Sequence, residues 1–219
     1  MYSGSHPGFP ASQHSFFPKT YLPLHIFEPR YREMIGDIAA EGQCVGMALL
    51  KEGWEQDYYG NPPIYEVGCV GRLISVQRLP DGRYNILLQG LHRYKVREEF
   101  YDKSYRQASI ILAPCQRSGA LDQVTRTELL RILNAYLRTH ENAHVWQGFP
   151  DSNMKDEILI NSLSASWGFS PNEKQFLLES DSLLQRACRL TDLIQFKRYE
   201  RNGSKGPGVN GSNHGDRNN

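Results

Sequence analysis

The sequence predicts an α+β chain in which a strand-rich first half curls into a sheet or small barrel around one early helix, and a small helical bundle follows. Three observations carry this. Between Tyr21 and Pro114 the apolar residues mostly follow the two-residue alternation or short runs of strands, interrupted once by Glu28–Glu41, whose period is helical. Asp81-Gly82 sits between two strand-like runs, the mark of a tight hairpin. Beyond Ala120 the period changes to that of amphipathic helices.

The 219 residues suffice for a substantial core in one or two units. Residues 1–20 are expected to form an irregular arm or an edge strand, because Ala11-Ser-Gln-His-Ser15 is a poor buried strand. Residues 21–116 make the β-rich unit, 117–200 the bundle and 201–219 a disordered tail. Leu22, Leu24 and Ile26 alternate as an inward face, and Phe27 is expected to pack where strand meets helix. In the helix, Tyr31, Met34, Ile35 and Ile38 form one buried stripe. Pro29 suits its first position, where a missing N–H costs nothing, and Gly42 suits its exit. Cys44–Leu50 reads as a strand buried on both faces. Strands over 64–79 and 83–90 flank the turn Pro80-Asp81-Gly82, in which glycine supplies the positive φ. Two more cover 91–100 and 105–114, the latter with Ala108, Ile110 and Leu112 alternating. Gly90, between nearly continuous runs, marks a bulge or sharp bend.

In the second half, Leu121–Leu137 carries Leu129, Leu130, Leu133, Tyr136 and Leu137 on one side. Lys155–Trp167 turns Ile158, Leu159 and Leu163 inward. Ser170-Pro-Asn-Glu173 is a capping box with proline in the first turn, so a third helix starts there. A fourth begins near Ser180 or Asp181, marked by Leu183, Ala187, Leu190 and Ile194. From Arg201 onward, apolar surface is too scarce to offset the entropy of ordering.

Composition narrows the function. With 25 basic and 24 acidic residues the net charge is +1, which argues against a phosphate-binding surface covering the protein. No apolar run approaches the ~20 residues of a membrane helix. The opening MYSGSHPGFP lacks the basic and apolar regions of a signal peptide, so a cytoplasmic protein is expected. Cys44, Cys69, Cys115 and Cys188 form no CxxC pair, and the histidines make neither HExxH nor HxH. Reduced thiols and no metal follow. There is no GxSxG elbow, no GxxxxGKS or GxxxxGKT loop and no GxGxxG, so neither catalysis nor a nucleotide cofactor is expected. A Cys44–His25 pair is a remote route to chemistry, and a core cysteine beside a polar histidine explains it better.

Two regions stand out as binding candidates. In Trp54-Glu-Gln-Asp-Tyr-Tyr-Gly-Asn-Pro-Pro63, the aromatics Trp54, Tyr58 and Tyr59 either anchor a partner or fold back to cap the barrel. In Leu22-Pro-Leu-His-Ile-Phe-Glu-Pro-Arg-Tyr31, His25 and Arg30 are further candidates, although the stretch reads best as a junction. There Glu28 lies near the helix's positive end, and Arg30 pairs with a carboxylate such as Glu33 or projects towards a ligand. Separately, Arg72, Arg78, Arg83, His92, Arg93, Lys95 and Arg97 interleave with Tyr84 and Tyr94. Such a face could hold RNA by stacking and phosphate contact, but basic residues alternating with apolar ones also describe any half-exposed strand.

Phe9-Pro10, Phe17-Pro18 and Leu22–Tyr31 resemble the N-terminal domain of the Lon ATP-dependent proteases. Val67–Leu73, Leu79–Tyr84, Leu87–Tyr94 and Ser170–Glu179 are similar to that domain in the same order, so the resemblance runs from about Phe9 to about Tyr199. It implies a PUA-like β pseudo-barrel followed by a helical bundle, and a role in recognising substrate proteins. No ATPase module or Ser-Lys peptidase accompanies it. The expectation is a stand-alone, non-enzymatic protein- or peptide-binding module for unfolded or client polypeptides, acting with a separate protease or chaperone. Because PUA-like folds also bind RNA, the basic hairpin supplies the alternative.

Overall fold

The computed structural model describes residues 6–10, 15–41, 44–58, 60–113, 120–138 and 154–203. Strands β1 (His6–Pro10) and β2 (Tyr21–Ile26) precede helix α1 (Pro29–Glu41). Strands β3 (Cys44–Ala48), β4 (Val67–Arg78), β5 (Tyr84–Phe100) and β6 (Gln107–Ala113) follow. Helices α2 (Gln123–Leu137), α3 (Asp156–Ser166), α4 (Pro171–Leu178) and α5 (Leu183–Gly203) make up the second half.

The sheet closes on itself. β5 pairs with β4, β4 with β3, β3 in parallel with β1, β1 with β6, and β6 returns to β5. β2 lies outside this ring on Tyr84–Gln89, while β6 takes Arg93–Phe100 of the same strand. The two strands expected at 83–90 and 91–100 are therefore one strand, bent and not broken. Gly71 faces Gly90 and Val70 faces His92, so Leu91 is the extra residue of a bulge. A bulge bends and twists its strand, which lets β5 serve two different neighbours.

Gly90 is required at this bend. A Cβ there would lie 2.0 Å from the Phe17 carbonyl oxygen. Its own N–H and C=O engage Thr20 O and Lys19 N, each at 2.9 Å. The second Phe-Pro pair thus lies directly on the bend of β5.

Several expectations change. Residues 6–10 are an inner strand with partners on both sides, not an edge or irregular arm. Backbone N–H and C=O groups make those bonds whatever the side chains, so composition does not reveal the strand. Residues 11–14 and Gly42 lie outside the described residues. Phe27 is 60% exposed and stacks on His25 instead of filling the junction. Of Ala108, Ile110 and Leu112, only Ala108 is buried. α2 starts after Asp122, whose carboxylate accepts from Thr125 N. α5 starts after Ser182, whose hydroxyl accepts from Gln185 N, and continues through residues 201–203, placed beforehand in the disordered tail. Residues 204–219 lie outside the described residues.

Other expectations hold for local reasons. Tyr31, Met34, Ile35 and Ile38 form the buried stripe of α1. At α4, Ser170 Oγ accepts from Glu173 N and Glu173 Oε2 from Ser170 N, the reciprocal pair of a capping box. One continuous cluster joins Phe17, Ile35, Met47 and Leu88 to Leu133, Leu159, Leu163, Leu190 and Ile194. Strands and helices therefore share a core.

At that junction sits Arg186 of α5, only 2% exposed. Its Nε donates to Leu177 O, its Nη2 to Leu178 O and its Nη1 to Asn161 Oδ1. Asn161 Nδ2 in turn donates to Pro18 O at 2.9 Å. Arg93 of β5 donates to Leu178 O at 3.0 Å.

Two substitutions test this arrangement. Gly90→Ala should lower unfolding free energy by about 2 kcal/mol, since the backbone of Phe17 cannot yield as a flexible side chain would. Arg186→Met should cost about 2 kcal/mol by removing the donor to buried Asn161 Oδ1 and one of the donors to each of Leu177 O and Leu178 O. Both are read from urea unfolding midpoints at unchanged m-value.

Candidate functional site

Between β3 and β4 the chain makes a long excursion closed at its base. Leu50 and Ile64 form a bridge, Lys51 N donates to Pro63 O at 2.8 Å, and Tyr65 N to Leu49 O at 2.9 Å. Gly53, with φ 83°, turns the chain into a single 3-10 turn over Trp54–Asp57. Trp54 is half-buried against a small cluster of Ala48, Leu50 and Ile64. Its ring meets Tyr58 at 5.4 Å, tilted by 59°. Each of the two keeps part of its surface in solvent.

The loop is tied to the start of α1. Tyr58 Oη donates to Glu28 Oε1, and Arg30 Nε donates to Glu28 Oε2 at 3.0 Å. Arg30 Nη2 also reaches Tyr58 O at 3.3 Å, and its guanidinium lies over the rings of Tyr31 (4.7 Å) and Tyr58 (5.2 Å). Burial and then the hydrogen bond to Glu28 raise the Tyr58 phenol above its ordinary value, so it remains a donor at neutral pH. Arg30 thus pairs with Glu28, while Glu33 accepts from Ser104 Oγ at 2.7 Å. On the far side, Asn172 at the start of α4 donates to Glu52 at 2.8 Å.

Beside the loop opens a narrow cleft lined by Arg30, Tyr58, Asn61, Pro62, Ser104 and Arg106, among others. Arg106, 6% exposed, donates from Nη2 to Pro62 O at 2.6 Å. Its Nε lies 3.1 Å from Glu99 Oε2, an ion pair without hydrogen-bond alignment.

A family model described as the ATP-dependent protease La (LON) substrate-binding domain matches residues 6–195. The chain belongs to this family. The Lon protease of Flavobacterium johnsoniae is 26% identical over 189 residues, which are 83% of this chain and 22% of that protein. That of Anaeromyxobacter dehalogenans is 30% identical over 88% of this chain and 23% of its own length. The chain spans about a fifth to a quarter of these relatives. Two solved structures share the fold, each covering 88% of this chain and 98% of its own. The N-terminal domain of Mycobacterium avium complex Lon protease has a TM-score of 0.66 at 15% identity. The Lon N-terminal domain protein from Xanthomonas campestris has a TM-score of 0.61 at 19% identity.

In this Lon substrate-binding domain, Trp54, Tyr58 and Arg30 come together, whereas Tyr59 lies outside the described residues. His25 stands apart on the outer face of β2. Its Nδ1 meets Asn85 Oδ1 at 2.7 Å and its Nε2 meets Arg83 at 3.2 Å, so it does not serve Cys44. Burial raises the Cys44 and Cys69 thiols, the opposite of what a nucleophile needs. Cys115 lies outside the described residues, and no group of three or more metal-ligating side chains occurs among the described ones. No described helix is long and apolar enough to cross a membrane.

The basic, aromatic set is split: Arg72, Arg78, Arg83, His92, Lys95 and Arg97 are exposed, but two of its members are interior. Arg93 and Tyr94 are both buried, and Tyr94 Oη donates to Met47 O at 3.1 Å. Arg83 is bound to Asp81 at 2.6 Å, and Lys95 lies 3.3 Å from Glu66. Glu99 pairs with the buried Arg106. Sequence reasoning missed Glu28 as the partner of Tyr58, and missed Arg106 and Ser104 altogether. No local pattern connects residues so far apart in the chain.

Removing the phenol should loosen the loop without unfolding the domain. Tyr58→Phe is expected to cost about 1 kcal/mol, the ordinary net value of such a bond. Amide hydrogen exchange should accelerate across residues 51–63 and remain unchanged in α5.

Proposed function

We propose that this domain is a non-catalytic module that binds segments of unfolded or client polypeptides. The observation that carries the reading is the Trp54–Tyr58 pair, half-exposed on a loop pinned at its base and to α1, in a Lon substrate-binding domain. Rigid aromatic groups lose little entropy on binding and desolvate well, the usual character of energetic anchors. Arg30 fixes Tyr58 from behind, and polar groups of the cleft form the rim. His25, stacked on the exposed Phe27, belongs to a second exposed aromatic patch on the same unit.

In this reading residues 21–116 carry the contact surface and residues 117–200 brace it, in a cytoplasmic setting where captured chains pass to a separate protease or chaperone. Catalysis is assigned to no residue: the matched family region is a substrate-binding domain, and burial raises the Cys44 and Cys69 thiols. The RNA alternative receives no support from the family match, and within its basic set Arg93 is buried while Arg83 and Lys95 are each paired with a carboxylate.

Reduced, carboxymethylated α-lactalbumin serves as a generic unfolded probe. The double variant Trp54→Ala, Tyr58→Ala should bind it at least roughly tenfold more weakly in fluorescence anisotropy, as expected for losing two anchors. Equal binding by a variant with native far-UV circular dichroism would remove these residues as the site.

A further inference from the structure

One charged donor in the cleft beside the aromatic loop is not accounted for by the fold. Arg106 is 94% buried by its 6% exposure, yet its Nη1 has no hydrogen-bond partner among the described residues. Its Nη2 is used by Pro62 O and its Nε faces Glu99. Leaving a guanidinium N–H buried without an acceptor costs on the order of 1–3 kcal/mol. Such a cost persists at functional sites where a ligand removes it.

We propose that this cleft is a subsite for a carboxylate of the bound polypeptide, recognised by Arg106 Nη1 with Arg30 beside it in the lining. The inference rests on the polypeptide-binding reading and names the chemistry next to its anchors. A carboxylate fits for three reasons. It offers acceptor oxygens to the unused Arg106 Nη1, and charge-assisted bonds of this kind are about twice as strong as neutral ones. Arg30 and Arg106 each already face one carboxylate, Glu28 and Glu99. With those charges already matched, a singly charged carboxylate meets less repulsion than a dianionic phosphate. Tyr58 borders both the cleft and Trp54, so an acidic group close in sequence to an aromatic or apolar residue could engage both at once.

Side-chain and C-terminal carboxylates share this chemistry, and three short peptides separate them. One is an acetylated, amidated peptide with tryptophan near a glutamate. The second has glutamine in place of the glutamate. The third has the glutamine but a free C-terminal acid. Binding is followed on the wild-type full chain through the Arg106 side-chain Nε–H signal in nitrogen-15 spectra and through the dissociation constant. Because Arg106 also holds Pro62 O, Arg106→Gln could fail to fold, and the wild-type comparison avoids that dependence.

The expected result is a shift of the Arg106 signal with the glutamate or free-acid peptide, and binding roughly tenfold tighter than the all-amide peptide. Whichever acid peptide gives it identifies the carboxylate source. Equal affinity of all three peptides, or no movement of the Arg106 signal with either acid, overturns the subsite. Capture of unfolded α-lactalbumin is measured alongside. If capture persists while the peptides are indistinguishable, the subsite alone fails; if capture is absent, the polypeptide-binding reading fails and the Arg106 signal still decides the carboxylate question.

Discussion

A buried guanidinium with no room for error holds the two halves of this domain in register. Arg186 reaches Leu177 O and Leu178 O at the end of α4, where carbonyls lack the regular helical partner and Leu177 O accepts otherwise only in the closing turn, from Ser180 N. Those carbonyls also carry the negative end of the helix dipole. A cation that would be expensive to bury alone is thus satisfied by groups that themselves need donors. Through Asn161 the same network reaches Pro18 O, and the ring of Phe17 lies 5.7 Å from the guanidinium. The Phe17-Pro18 segment is consequently fixed between the bundle on one side and Gly90 on the other.

From that constraint the barrel geometry follows. Phe17 O occupies the space a side chain at residue 90 would need, and the adjacent bulge at Leu91 bends β5. The bend gives β2 the first half of the strand and β6 the second, and β6 with β1 closes the ring. Beyond the bend, Tyr94 and Arg93 point to opposite faces and both are covered, Tyr94 donating to Met47 O of β3 and Arg93 to Leu178 O of α4. Arg93 thereby adds a tie between barrel and bundle.

The candidate site depends on a different, local balance. Glu28 and Arg30 stand two residues apart at the start of α1, and both point at the excursion between β3 and β4. Their mutual pairing leaves a neutral support for Tyr58, and Trp54 leans on Tyr58 while covering Leu50 and Ile64. Trp54 and Tyr58 fold back against the barrel and α1, and each keeps part of its surface exposed.

The helical stripe of α1, the capping box at Ser170 and the Asp-Gly hairpin were legible because each rests on neighbours within a few residues. Local periodicity and capping act over a single turn, so they are written contiguously. The Lon-like order of short motifs was legible for a similar reason, since it needs only the linear chain. The inner position of β1 was not, because backbone bonds to β3 and β6 leave no compositional mark. Likewise Arg93 reads as one more surface cation until α4 packs over it, and Glu28 meets Tyr58, and Tyr58 borders Arg106, only in the folded chain. What the sequence by itself determined is the kind of each element and the family to which their order belongs. Which charges end buried, which aromatics remain at the surface and which donor is left over were decided only by tertiary structure, because those outcomes depend on distances between residues that the chain separates and the closed sheet brings together.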